Sequence, residues 1–145
     1  MNNGVMNTIT RQYTFMENGT YTFFTKTFDP LMENLLLTKE NGTYLLAKGN
    51  NLTVMPQKSV IEAWSKKNNS DSWGNFVTTQ NRPLEKITYQ FTRHYFSGIQ
   101  QWNLVLQGDK ETKRDGPFSS NNTFVNAWYY HVPSTSYPAI VLPGK

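Results

Sequence analysis

Along this chain, short runs of β-branched and aromatic residues alternate with polar ones, and Asn-Gly pairs interrupt them. ITRQYTFM and TYTFFTKTF flank Asn18-Gly19, LLLTKE and TYLLAKG flank Asn41-Gly42, and Lys48–Asn51 leads into NLTVM. Asn-Gly between such runs predicts a type I′ hairpin, whose central residues both need positive φ. The pentapeptide ENGTY occurs at Glu17–Tyr21 and again at Glu40–Tyr44. It reads as one hairpin turn used twice rather than as a duplicated binding element. Pro56 cannot donate to a ladder, so it predicts a bulge or a strand edge, with SVIEAW continuing the strand beyond it.

Ser65–Pro83 is rich in Asn and Ser and predicts a long loop, with a brief strand at Phe76–Thr79. Next, Ile87, Tyr89 and Phe91 alternate with Thr88, Gln90 and Thr92, and Trp102, Leu104 and Leu106 alternate with Asn103 and Val105. This is the period of strands with one buried face, and the two runs predict a hairpin. Asp115-Gly116-Pro117 predicts a turn and VNAWYYHV a last strand. Pro133, Pro138 and Pro143 mark residues 133–145 as an extended C-terminal arm. The pattern predicts one domain over residues 1–132, all-β and antiparallel, with about eight strands in a barrel or sandwich.

Composition narrows the function classes. The 145 residues suffice for a core without staples, and no cysteine is present for a disulfide or a thiolate metal site. Lys and Arg outnumber acids 14 to 10, for a net charge of +4. That excess is too sparse for a nucleic-acid footprint. No apolar run is long enough for a membrane span. MNNGVMNTIT has neither a basic n-region nor an apolar h-region, so it does not read as a signal peptide. The compartment stays open: extracytoplasmic for a trimmed chain, cytoplasmic otherwise.

Two groups of segments carry a family resemblance. LEKITYQFTRHYFSGIQQWNLVLQ with RDGPFSSNNTFVNAWYY, and upstream YTFMENGTYTF with NGTYLLAKGNNLTVMPQK, resemble the small bacterial lipocalin-like domains of the calycin type. The similarity spans roughly Arg11 to Tyr130. It implies an up-and-down barrel with a central cavity open at one end, in a family whose members largely lack an assigned activity. Barrels of this type usually begin with a Gly-x-Trp strand, its Trp covered by an Arg from near the chain end. Nothing before Ile9 supplies that strand, and the first Trp is Trp64. Arg114 matches the covering Arg without its partner, which leaves barrel closure open.

No catalytic constellation is legible. His94 and His131 fall on separate predicted strands, without a nucleophile elbow or a His-Glu-x-x-His run. Two His and no Cys make a poor metal set, and no Gly-rich phosphate loop suggests a cofactor. The Asn-x-Thr/Ser sites at Asn18, Asn41, Asn51, Asn68 and Asn121 read as turn residues in a bacterial chain. The basic–aromatic mix of Arg93, His94 and Tyr95 with Lys26 and Phe28 reads as aromatics facing the core and cations facing water.

The set most suggestive of function is Trp64, Tyr89, Phe91 and Trp102. An eight-stranded barrel either fills its interior or holds one small ligand, and these aromatics suit either outcome. The first expectation is a non-enzymatic binding module for a small apolar or amphipathic ligand, lined by those four residues. The second is a structural or protein-interaction domain with a filled barrel. A homodimer through an open barrel edge is expected alongside either.

Overall fold

The computed structural model describes residues 8–121, 123–132, 140, 142 and 143. Eight antiparallel strands make one sheet: β1 (Thr8–Phe15), β2 (Thr20–Phe28), β3 (Asn34–Ala47), β4 (Asn51–Lys66), β5 (Trp73–Asn81), β6 (Ile87–Phe96), β7 (Gln101–Gln107) and β8 (Ala127–His131). The hydrogen-bonded path is β1-β2-β3-β4-β6-β7-β8, with β5 off the path on β4. β4 is long enough to hold two partners: Asn51–Val54 pair with β6, and β5 pairs along Val60–Lys66.

The sheet curls around one core. Tyr21 and Phe23 of β2, Leu52 and Val54 of β4, Ile87 and Tyr89 of β6, Leu106 of β7, and Trp128 and Tyr130 of β8 all meet there. The curl brings the two end strands together, with the Tyr13 and Tyr130 rings 4.8 Å apart, edge to face. No ladder joins β1 to β8, so this is an open up-and-down barrel. Parity matters here. The path holds seven strands, each antiparallel to the next, so β1 and β8 run in the same direction. Direct closure would need a parallel pair, whose slanted bonds are slightly weaker per residue.

The two ENGTY copies are not two hairpins. At the first, Met16 N–H donates to Thr20 O and Gly19 N–H to Met16 O (2.9 and 3.1 Å). Only Gly19 has positive φ, 87°. This is a three-residue loop ending in a left-handed Gly, not a type I′ turn. Asn18 Oδ1 instead accepts Thr20 N–H at 3.1 Å. At the second copy the chain does not turn at all. β3 runs straight through, and the register slips at Asn41/Gly42, where Gly42 faces Pro56 and Asn41 faces Lys58. Pro56 therefore sits at the expected bulge. The paired positive φ values of a type I′ turn fall one turn later, at Gly49 and Asn50 (81° and 59°).

The copies pair with each other. Thr20 lies opposite Thr43, Tyr21 opposite Gly42 and Thr22 opposite Asn41. Tyr44 then closes the first turn, its N–H donating to Gly19 O (2.9 Å) and its hydroxyl to Met16 O (2.6 Å).

Two further differences concern β5 and β7. Trp73–Asn81 is a nine-residue strand rather than a brief one. Its residues beyond Gly74 are exposed, so no buried face imprints a period on the sequence. In β7, Asn103 and Val105 are as buried as Leu106. Phe124 and Phe96 pack against Tyr129 and give these strands a second apolar layer. Residues 1–7, where an additional strand was sought, and 133–139 of the Pro-rich arm lie outside the described residues. Farther along, Ile140 is buried, and its N–H donates to the Gln12 side chain of β1 at 3.3 Å.

A Cβ placed at Gly42 would lie 2.2 Å from Met55 O and 2.7 Å from Pro56 Cα. At Gly19 the obstacle is positive φ alone, worth about 1–2 kcal/mol. Gly42→Ala should therefore destabilise the chain by about 2–3 kcal/mol, more than Gly19→Ala, in urea denaturation. Equal losses would show that the two backbones at the bulge move apart freely.

Candidate functional site

The least expected feature is a turn pushed into the core. Thr112 bridges to Gly116, with Gly116 N–H donating to Thr112 O at 2.8 Å. Between them Arg114 and Asp115 are 2% and 1% exposed. Such ionised groups stay buried only when paired and fully hydrogen-bonded. Arg114 meets both conditions, and Asp115 is held by hydroxyl donors alone.

Arg114 Nη1 forms an ion pair with Glu40 Oε2 at 2.6 Å. Its Nε donates to the Tyr13 hydroxyl (2.9 Å), and its Nη2 donates to Glu85 O (3.0 Å) and the Tyr89 hydroxyl (3.1 Å). Asp115 accepts four O–H donors, two on each oxygen. Tyr13 and Tyr130 donate to Oδ1 (2.8 and 2.5 Å), Tyr89 and Thr112 to Oδ2 (2.5 and 2.7 Å). Tyr21 donates to Glu40 Oε2 at 2.6 Å. Strands β1, β3, β6 and β8 thus each send one side chain to a single turn, and β2 supports Glu40 from behind through Tyr21.

The electrostatics follow from this geometry. Burial foremost, and then the Asp115 charge, push the Tyr13, Tyr89 and Tyr130 hydroxyls well above the ordinary phenol range. At Tyr21 burial and the hydrogen bond to Glu40 act the same way. Burial by itself would lower the Arg114 guanidinium, but Tyr13, Tyr89, Glu40 and Asp115 outweigh it and hold the charge on. The tyrosines are therefore proton donors that keep their protons, which suits a structural network and not general base chemistry.

A cavity of about 170 Å³ opens at the seam between β1 and β8, lined by Arg11, Asp115, Trp128, Tyr130 and His131 among others. Arg11 brings a second cation, so Arg11, Arg114, Glu40 and Asp115 sum to zero charge. The covering arginine sought by resemblance, Arg114, has partners after all. They are Glu40 and two tyrosine hydroxyls rather than a tryptophan.

The four aromatics singled out from the sequence are not brought together. Tyr89 is fully buried, with its hydroxyl on Asp115, and Phe91 packs against the same core. Trp102 is 47% exposed at the far end of β7, beside Tyr95 at 5.4 Å and with the Arg93 guanidinium 5.5 Å over its ring. Trp64 belongs to a separate group with Trp73 and Phe76, and its indole N–H donates to Glu62. His94 and His131 both register opposite Asn103, from either side of β7. Sequence reasoning missed Glu40, Arg114 and Asp115 as a unit. Their only local signal was the Arg-Asp-Gly turn, which looks like any exposed loop.

The arrangement defines an all-β, open up-and-down barrel with a polar–aromatic interior. No described helix is long and apolar enough to cross a membrane. No family profile, curated protein or solved structure matches the chain.

Removing one partner of a buried pair strands the other, at about 3–5 kcal/mol. Arg114→Met should cost that much in urea denaturation, and Glu40→Gln combined with it should cost less than the sum. A simple sum would show that the two side chains act independently. Alkaline stability offers a second check. Below about pH 10 the tyrosines are protonated in both states; above it the unfolded chain releases protons that the folded chain holds. Stability should fall by about 1.4 kcal/mol per pH unit for each of Tyr89 and Tyr130. Phenolate absorbance from the buried tyrosines should then appear only as the chain unfolds. A gradual rise without unfolding would contradict the burial of these hydroxyls.

Proposed function

We propose that this chain is a non-enzymatic, lipocalin-like interaction domain, with a filled barrel and a partner-binding surface at its turn end. One observation supports the reading: the side chains of the barrel interior are closely packed. Tyr21, Phe23, Val54 and Tyr89 are at most 1% exposed, and Arg114 and Asp115 are buried against the Tyr89 hydroxyl. Apolar surface is instead presented outside. Tyr95, Ile99 and Trp102 are 44%, 61% and 47% exposed on the β6–β7 hairpin, which runs past the β3–β4 turn. Phe91 N–H donates to Asn50 O there, and Leu45 and Leu46 are exposed at the end of β3 that leads into that turn. Arg93 over Trp102 and the net charge of +4 favour a partner segment that is apolar and acidic.

A second reading rests on a hollow of about 320 Å³ at His94–Ile99. It falls at the lower limit for small-molecule sites, and a small amphipathic ligand would sit there rather than in the barrel. Either reading is tested by titrating a hydrophobic fluorophore into the folded chain. Binding should weaken at least about tenfold, or 1.4 kcal/mol, in Trp102→Ala and in Tyr95→Ala, with the melting temperature nearly unchanged. Tyr89→Phe should leave binding as it was. Stoichiometric binding that survives both outer substitutions and is lost in Tyr89→Phe would place the ligand inside and overturn the proposal.

A further inference from the structure

The free edge of β5 stands apart from the surfaces considered so far. β5 pairs only with β4, and its other edge meets no described strand. Its sequence, WGNFVTTQN, contains no Lys, Arg, Asp, Glu or Pro. Folded proteins ordinarily blunt an exposed edge with a charge, especially Lys, or with a proline, because unpaired N–H and C=O groups template another strand. Here nothing of that kind is present. By contrast, β1 carries Arg11 toward the seam, and Ser119 N–H occupies Ala127 O at the start of β8.

The register shows which groups are available. Arg82 N–H donates to Ser59 O at 2.9 Å, which makes Ser59 and Arg82 a hydrogen-bonded pair. Stepping two residues along the ladder, Gln80 opposite Ile61 and Thr78 opposite Ala63 are bonded in turn. Thr79 and Asn81 therefore direct their N–H and C=O groups away from β4. Val77, at the register slip, and Phe76 flank them and are about half exposed, at 51% and 50%. Arg82, the next charged residue, turns inward and donates to Thr38 Oγ1.

We propose that β5 pairs with β5 of a second copy, antiparallel across a two-fold axis near Thr79, merging two sheets into one. The occupant follows from charge and symmetry. Chains of net charge +4 repel one another, and a β5–β5 contact brings no charged side chains of the paired strands together. Antiparallel pairing about Thr79 also sets each Asn81 toward the other copy's Val77. The outward N–H and C=O of Thr79 then meet the same groups of the other copy, the two-fold arrangement of an isologous contact.

The test is sedimentation equilibrium of the full chain and of Thr79→Pro, Val77→Lys and Ile9→Pro variants, with circular dichroism to confirm folding. Thr79→Pro removes an N–H that the protomer does not use, and Val77→Lys restores the missing edge charge. The wild type should reach twice the 16.8 kDa chain mass. The dimer dissociation constant should rise at least tenfold in Thr79→Pro and in Val77→Lys, and stay unchanged in Ile9→Pro on the β1 edge. Should Thr79→Pro fail to fold, Val77→Lys decides alone. A wild type that stays monomeric, a dimer indifferent to both β5 substitutions, or one lost only in Ile9→Pro would each overturn the proposal.

Discussion

The Arg114–Glu40 ion pair is the contact around which this fold is arranged. The interior of a barrel this small is within reach of side chains from all its strands, and here part of what packs it is ionised. A guanidinium and two carboxylates away from water are tolerable only when every donor and acceptor is matched. The matching is distributed: Tyr13, Tyr21, Tyr89 and Tyr130 come from four different strands. Each strand has to be in register for the set to be complete. A one-residue slip would turn its tyrosine to the other face and leave a charge short of a donor. The cluster therefore contributes specificity of register, beyond any net gain in stability. It also spans the gap where backbone bonding stops, because Asp115 links Tyr13 of β1 to Tyr130 of β8.

Much of this architecture is legible in the sequence. Ile87, Tyr89 and Phe91, alternating with polar residues, announce β6, and the bulge at Pro56 follows from its missing N–H. What escaped the reading has physical causes. β5 is exposed on both faces, so no amphipathic period records it. Asn41-Gly42 carries a hairpin signal, yet β3 has a paired strand on each side, and ladder bonds outweigh the local turn preference. Gly42 is needed all the same, for the close approach of two backbones. The interior cluster was hidden for a related reason. Glu40, Arg114 and Asp115 are charged residues in polar-looking stretches, and only the tertiary fold brings them to the tyrosines.

The repeated pentapeptide illustrates how context assigns meaning. Its two copies lie side by side, yet corresponding positions differ in task. Glu17 is exposed near a turn while Glu40 holds the buried arginine. Tyr21 points into the core and donates to Glu40 of the other copy, while Tyr44 caps the loop that the first copy makes. The repeat behaves as a pair of unlike halves meeting across one ladder.

The odd number of strands on the hydrogen-bonded path has a mechanical consequence. Because β1 and β8 run the same way, the chain enters the barrel at one pole and leaves it at the other. Tension applied at Thr8 and Val132 would pull these two strands past each other along their length. Their shared seam would be loaded in shear rather than unzipped. Among the described residues the seam is held by side-chain contacts, the tyrosine–aspartate links foremost, and not by a ladder, so that load falls on side-chain hydrogen bonds.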